Sequence, residues 1–233
     1  MRLPRLQSGH DFIVVTEAWY HKQAFLQHTL MIETLFLIAI LVVSVIIHEV
    51  AHGVVANFLG DPTARMAGRL TLNPIPHIDP IGSIFVPLAL SLLPGGLIIG
   101  WAKPVPYNPY NLRAKRWGPA LVAGAGPLVN IVLALLTALA LRGAFAFGFS
   151  LSPVAASFLS SIVLINLILA FFNLLPVPPL DGSRILTALL PYRYRYLMDS
   201  LERYGLFLII IALLLWGQIA SFVFTLTMLL VGG

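Results

Sequence analysis

An all-α protein that crosses a membrane, with five to six membrane segments, is the fold class that this sequence predicts. Three observations predict it. First, 59% of the 233 residues are hydrophobic and only 10% are charged, whereas soluble domains carry about 25% charged residues. So few charges cannot cover a solvated surface, so lipid must cover it. Second, the apolar residues gather into five runs, each near the roughly 20 residues that a helix needs to cross the hydrocarbon core. Third, the connections between the runs are short, which leaves little chain for a separate soluble domain.

Residues 1–32 are mixed and polar, with Arg2, Arg5 and Lys22 set against Asp11 and Glu17. They read as an N-terminal arm or a surface helix, with a second methionine, Met31, at its end. A cleaved signal peptide is not expected, because about thirty polar residues precede the first apolar run. The membrane-embedded core is expected over residues 33–191. A basic loop and a C-terminal membrane helix follow over residues 192–233.

The five runs differ in character. The first, about Thr34 to Leu59, contains His48-Glu49-Val50-Ala51-His52 near its far end. The second, about Ile81 to Gly100, is interrupted by Pro87, Pro94, Gly95 and Gly96, and reads either as a full span or as a re-entrant hairpin. Such a hairpin is tolerated at membrane depth only where other protein buries it. The third, about Pro119 to Leu141, carries Gly124-Ala125-Gly126-Pro127 near its start. The fourth, about Pro153 to Leu175, ends just before Pro176. The fifth, about Leu206 to Leu230, has no charge and reads as a plain spanning helix. Between the first two runs, residues 64–72 alternate loosely, which suggests a short β element whose edge could bind an unwound peptide.

Net charge is +5, from 14 Lys and Arg against 9 Asp and Glu. These cations are spread over loops, so they read as topology signals rather than a nucleic-acid surface, and no nucleic-acid partner is expected. Residues 101–118 carry Lys103, Arg113, Lys115 and Arg116 without an acid, and residues 191–203 carry Arg193, Arg195 and Arg203. The positive-inside rule puts both on the cytoplasmic side and the uncharged 143–152 turn outside. There is no Cys, which excludes a disulfide framework and a cysteine nucleophile.

The His48–His52 pair carries the chemistry. In a helix these two residues lie four apart on one face and can grip one metal ion. Imidazole suits zinc, and Glu49 beside the first ligand can serve as general base on a zinc-activated water. The motif is short and recurs by chance, but ionisable residues inside a membrane segment cost roughly 2.5–3.5 kcal/mol or more and usually mark function. A catalytic zinc takes three protein ligands and keeps one position open. Candidates for the third are His77, Asp79, Asp181 and the remoter Asp61. If the first run points inward, Asp181 reaches the same depth just beyond the fourth run. A plain helix-capping role for Asp181 is the competing reading. His77 and Asp79 lie in a Pro-rich turn before the second run. There they would either gate the site or simply form a polar loop with an Asx-type turn.

Taken together, four features resemble the site-2 protease family of intramembrane zinc metalloproteases. They are His48-Glu49-Val50-Ala51-His52, Gly126-Pro127-Leu128-Val129-Asn130, the run NLLPVPPLD from Asn173 to Asp181, and its continuation into Gly182. Gly100-Trp101-Ala102-Lys103-Pro104-Val105-Pro106 is similar to the compact bacterial branch without PDZ or CBS domains. The match covers roughly residues 34–191. The resemblance implies one zinc per chain with Asp181 as third ligand. It also implies that Asn173 assists by hydrogen-bonding the substrate carbonyl or its oxyanion, and that Asn130 is a packing or substrate-near amide. The implied partners are the lipid bilayer and a membrane-anchored protein substrate, cut within or near a bacterial cell membrane towards its cytoplasmic side. A membrane metallohydrolase acting on a lipid or a small amide shares this chemistry and is the alternative. A metal transporter would need polar residues through several spans, which the third and fifth runs lack.

Overall fold

Fifty consecutive residues without a proline form the first helix, α1 (Gly9–Phe58). The computed structural model describes residues 9–86, 88 and 102–232. The chain divides into two units, Met1–Ala39 and Ile40–Gly233, and all packing described below lies within the second. The Met31–Phe58 part of α1 is long and apolar enough to cross a membrane. It stops where Gly60 adopts φ 105°, a conformation that residues with a Cβ rarely adopt. The Gly60 and Asp61 N–H groups then donate to the Asn57 and Ala56 carbonyls, a Schellman closure that satisfies the last turn.

A short helix, α2 (Thr63–Met66), comes next, then a 3₁₀ turn at Ile75–His77 and a π-type turn at Pro80–Phe85. The expected β element at residues 64–72 is therefore corrected: these residues begin in a helix, and there is no strand among the described residues. The physical reason lies at both ends of α2. The Asp61 carboxylate accepts from the Thr63 N–H and hydroxyl, which starts a helical turn, and Gly68 (φ 66°) ends it before any extended run can form. The hairpin expected within residues 81–100 lies largely outside the described residues.

Two further helices reach span length: α3 (Gly118–Ala146) and α4 (Pro153–Asn173). Pro119 and Pro153 sit at their first turns, where the missing N–H costs nothing. Ser152 caps α4 by accepting from the Ala155 N–H, and Pro176 prevents its continuation. Two short helices follow, α5 (Asp181–Leu189) and α6 (Tyr192–Glu202). The fifth run is not one plain helix. It forms α7 (Gly205–Leu214) and α8 (Trp216–Val231), bent by 60° at Leu215. Gly217, two residues past the break, weakens helix continuity there.

Five to six membrane segments are therefore not what the described residues display. Among them, three helices are long and apolar enough to span, or four if the bent pair is one broken span. The ten residues of α7 and the sixteen of α8 each fall short of a crossing length alone. This is an integral membrane protein, and its outer face is apolar: Leu128, Leu136 and Leu139 on α3 and Val154 on α4 are all exposed.

The interior is built on small residues. Ala134 and Ala138 of α3 pack with Val163 and Leu167 of α4 and Val223 of α8. Small side chains let membrane helices approach closely, which is their main source of association. A second cluster joins Ala56 of α1, Leu112 of the connection before α3, and Val122 of α3. It locks the C-terminal end of α1 against the start of α3, and the candidate site lies there.

Candidate metal centre

The last turns of α1 carry His48, Glu49 and His52, and α5 begins with Asp181. The fold brings these together across 133 positions of sequence. His48 Nε2 lies 3.1 Å from Asp181 Oδ2, and His52 Nε2 lies 3.3 Å from the same oxygen. One ligand atom from each of the three residues falls within 4.8 Å of the others, a grouping that could hold a metal ion. Two imidazoles and one carboxylate are a donor set that suits zinc and leaves a fourth position for catalysis.

The surroundings orient these ligands. His52 Nδ1 lies 2.7 Å from the Val122 carbonyl. A carbonyl only accepts, so Nδ1 carries the proton and Nε2 presents its lone pair to the metal position. The His48 ring lies against Gly126 of α3, where an added Cβ would collide with it. That close approach explains the glycine in Gly126-Pro127-Leu128-Val129-Asn130. His48 Nδ1 is buried without a partner among the described residues.

Glu49 is held from the other side. Its Oε2 accepts a 2.9 Å hydrogen bond from the Val105 N–H. Pro104 and Pro106 flank Val105 and have no N–H, so Val105 is the one donor of this tripeptide. The strap containing it is anchored along its length. Lys103 N–H donates to the His77 carbonyl, and Arg69 Nη2 donates to the Lys103 and Pro104 carbonyls at 2.6 and 3.2 Å. Beyond Val105, the Asn108 N–H and the Asn111 amide donate to Asp61.

Of the remaining predicted residues, Asn173 joins the site. It lines the same cavity of about 200 Å³ as His48, Glu49, His52 and Asp181, and its amide donates to the Leu169 carbonyl of its own helix. His77 and Asp79 do not reach it. His77 is buried with Nε2 against the Thr71 carbonyl. Asp79 caps the π-type turn by accepting from the Ile81 and Gly82 N–H groups. Asp61 is equally remote from the metal position and is fully buried among its donors. Burial opposes its ionisation, but hydrogen bonds from Thr63, Asn111 and Asn108 outweigh this and hold its carboxyl below the usual carboxylate range. Asn130 is fully buried on α3, and among the described residues neither polar atom of its amide has a partner.

Sequence reasoning missed Val105, Arg69, Val122, Tyr107 and Arg184, all of which line or hold the site. Main-chain donors and acceptors leave no side-chain signature, although the Pro-Val-Pro pattern isolates one N–H. Arg184 had a signal in its place three residues after Asp181.

Comparison with known proteins places these features in a family. Residues 150–217 match the model of peptidase family M50. The chain is 41% identical over 174 residues to YwhC of Bacillus subtilis (strain 168), which is named as a zinc metalloprotease, covering 73% of this chain and 76% of that one. It is 32% identical over 175 residues to Rip2 of Mycolicibacterium smegmatis, also named as a zinc metalloprotease, covering 74% and 63%. Zinc metalloprotease MJ0392 of Methanocaldococcus jannaschii is 27% identical over 164 residues, covering 70% and 37%. No solved structure matches the chain significantly.

Proposed function

Because the chain belongs to peptidase family M50 and is a zinc metalloprotease, we propose that it hydrolyses peptide bonds within or beside the membrane-spanning segments of membrane-anchored proteins. The observation that carries this reading is the position of the ligand group. His48 and His52 lie on Met31–Phe58, a helix of membrane-crossing length, so a substrate reaching them meets the enzyme at the bilayer. The neighbouring cations Lys103, Arg113, Lys115 and Arg116 favour a cytoplasmic location for this end of α1, in a bacterial cell membrane.

His48, His52 and Asp181 are the residues that would hold the zinc. When bound, zinc supplies Lewis acidity that makes water nucleophilic near neutral pH. Glu49 takes the proton of the attacking water and passes it to the leaving amine. The Val105 N–H fixes the carboxylate for that transfer. Asn173 turns its amide from the Leu169 carbonyl to the substrate, where it donates to the scissile carbonyl and its developing oxyanion.

Replacement of Glu49 by Gln tests the assignment in reconstituted protein with a single-span membrane substrate. Cleavage should vanish while about one zinc per chain remains. Undiminished cleavage would remove Glu49 from this role. Asp181→Ala should lose the zinc, and full occupancy in that variant would overturn its place as ligand.

A further inference from the structure

Among the described residues, thirteen line the cavity that holds the metal position, and Arg184 is the one Lys or Arg of these. It stands three residues after Asp181 on α5, so both side chains leave the same side of the helix. Its guanidinium is poised. Nη1 lies 3.3 Å from the Tyr107 hydroxyl, the group sits 5.9 Å from the Tyr107 ring, and Nη2 lies 3.3 Å from Glu202 Oε1. Glu202 belongs to α6.

We propose that Arg184 is a specificity-determining residue that binds a carboxylate of the substrate close to the scissile bond, exchanging Glu202 for it. This rests on the metallopeptidase reading of the site.

Three observations support the exchange. The Arg184 and Glu202 side chains are 44% and 51% exposed and their contact is long, and ion pairs of that kind contribute little and exchange readily. The guanidinium has five donors in a planar fork that matches a carboxylate, and among the described residues two of them are in use. A second chamber of about 100 Å³, lined by Arg184, Glu202, Thr187 and Met198, continues beyond Arg184 and provides room for a side chain. The competing role for Arg184 is a simple tether between α5 and α6.

The test is calorimetric binding of three succinyl hydroxamates to the zinc-loaded full chain in detergent. The probes are a Leu-Asp amide, a Leu-Asn amide and a Leu-Asn with a free terminal carboxylate. Wild-type protein should bind one of the two acidic probes about tenfold more tightly than the amide, and which one identifies the carboxylate as side-chain or terminal. The preference should fall to about one in Arg184→Gln, survive in part in Arg184→Lys, and grow in Glu202→Gln, where the competitor is gone. A tether would instead lose stability in Glu202→Gln with no gain in preference. Equal affinities in wild type, or an undiminished preference in Arg184→Gln, would overturn the proposal. Failure of all three hydroxamates to bind wild-type protein would instead overturn the metallopeptidase reading beneath it.

Discussion

The main-chain N–H of Val105 donates to the Glu49 carboxylate at 2.9 Å, although the two residues are 56 positions apart. That contact ties the proposed base to a strap whose own anchor is Arg69, a buried cation on two strap carbonyls. Arg69→Met removes both bonds and leaves the carbonyls dry. Hydrogen bonds to charged groups contribute about 1.5–3 kcal/mol each, so a stability loss of about 3 kcal/mol is expected by thermal unfolding. In the fraction still folded, kcat should fall about tenfold with zinc content and KM unchanged. Arg69→Lys should restore part of the rate. An unaltered kcat in the methionine variant would show that the strap does not position Glu49.

Gly126 sets the distance between α3 and the His48 ring. Gly126→Ala places a methyl where the ring stands and must rotate or displace it. Disturbing the shell around a metal-ligating histidine typically costs 10–100-fold in affinity. Zinc competition against a chelator should show a loss on the order of that range, while the helical content of the variant stays near wild type. Wild-type affinity in Gly126→Ala would mean that α3 yields freely and does not set the ring.

How much of this was legible follows from what each feature leaves in the side-chain pattern. His48 and His52 stand out because a four-residue spacing and an apolar setting are both visible in the sequence. α3 and α4 are visible because each is built on an uncharged run opened by a proline, Pro119 to Leu141 and Pro153 to Leu175. The bend at Leu215 was overlooked because the fifth run carries no charge, although Gly217 and Gln218 beside the break interrupt its apolar side chains. Residues 64–72 misled because loose alternation resembles a strand, and the contacts that decide it, Asp61 to Thr63 and the turn at Gly68, are local hydrogen bonding and a positive φ. The hold on Glu49 was hidden because its donor is main chain.

Asp61 provides a pH test remote from the metal. Its carboxyl is held below the usual carboxylate range, so the native state binds its proton less readily than the unfolded chain does. Stability from this group is then fully present above the unfolded pKa of about 3.9 and is lost as pH falls through the depressed native value. Asp61→Asn turns an amide N–H₂ towards one of the N–H donors and should cost about 1–3 kcal/mol at neutral pH. Thermal unfolding from pH 7 to pH 3 should show a gap between wild type and variant that is constant down to about pH 4 and narrows below it. A gap independent of pH would separate the ionised carboxylate from the stability of this turn.

Asn130 presents the opposite case. It is 0% exposed, and neither polar atom of its amide has a partner among the described residues. A buried unsatisfied polar group costs about 1–3 kcal/mol, and an apolar residue of similar volume avoids that cost. Asn130→Leu should therefore raise the thermal midpoint. If Asn130 serves the substrate, cleavage should fall in the same variant, because a destabilising group kept in a functional region trades stability for activity. A rise in stability with full cleavage would assign Asn130 to packing alone. A fall in stability would mean that the amide is satisfied in the bilayer, for instance by an internal water of the kind that buried amides bind. Measuring both midpoint and cleavage in one reconstituted preparation separates the three outcomes.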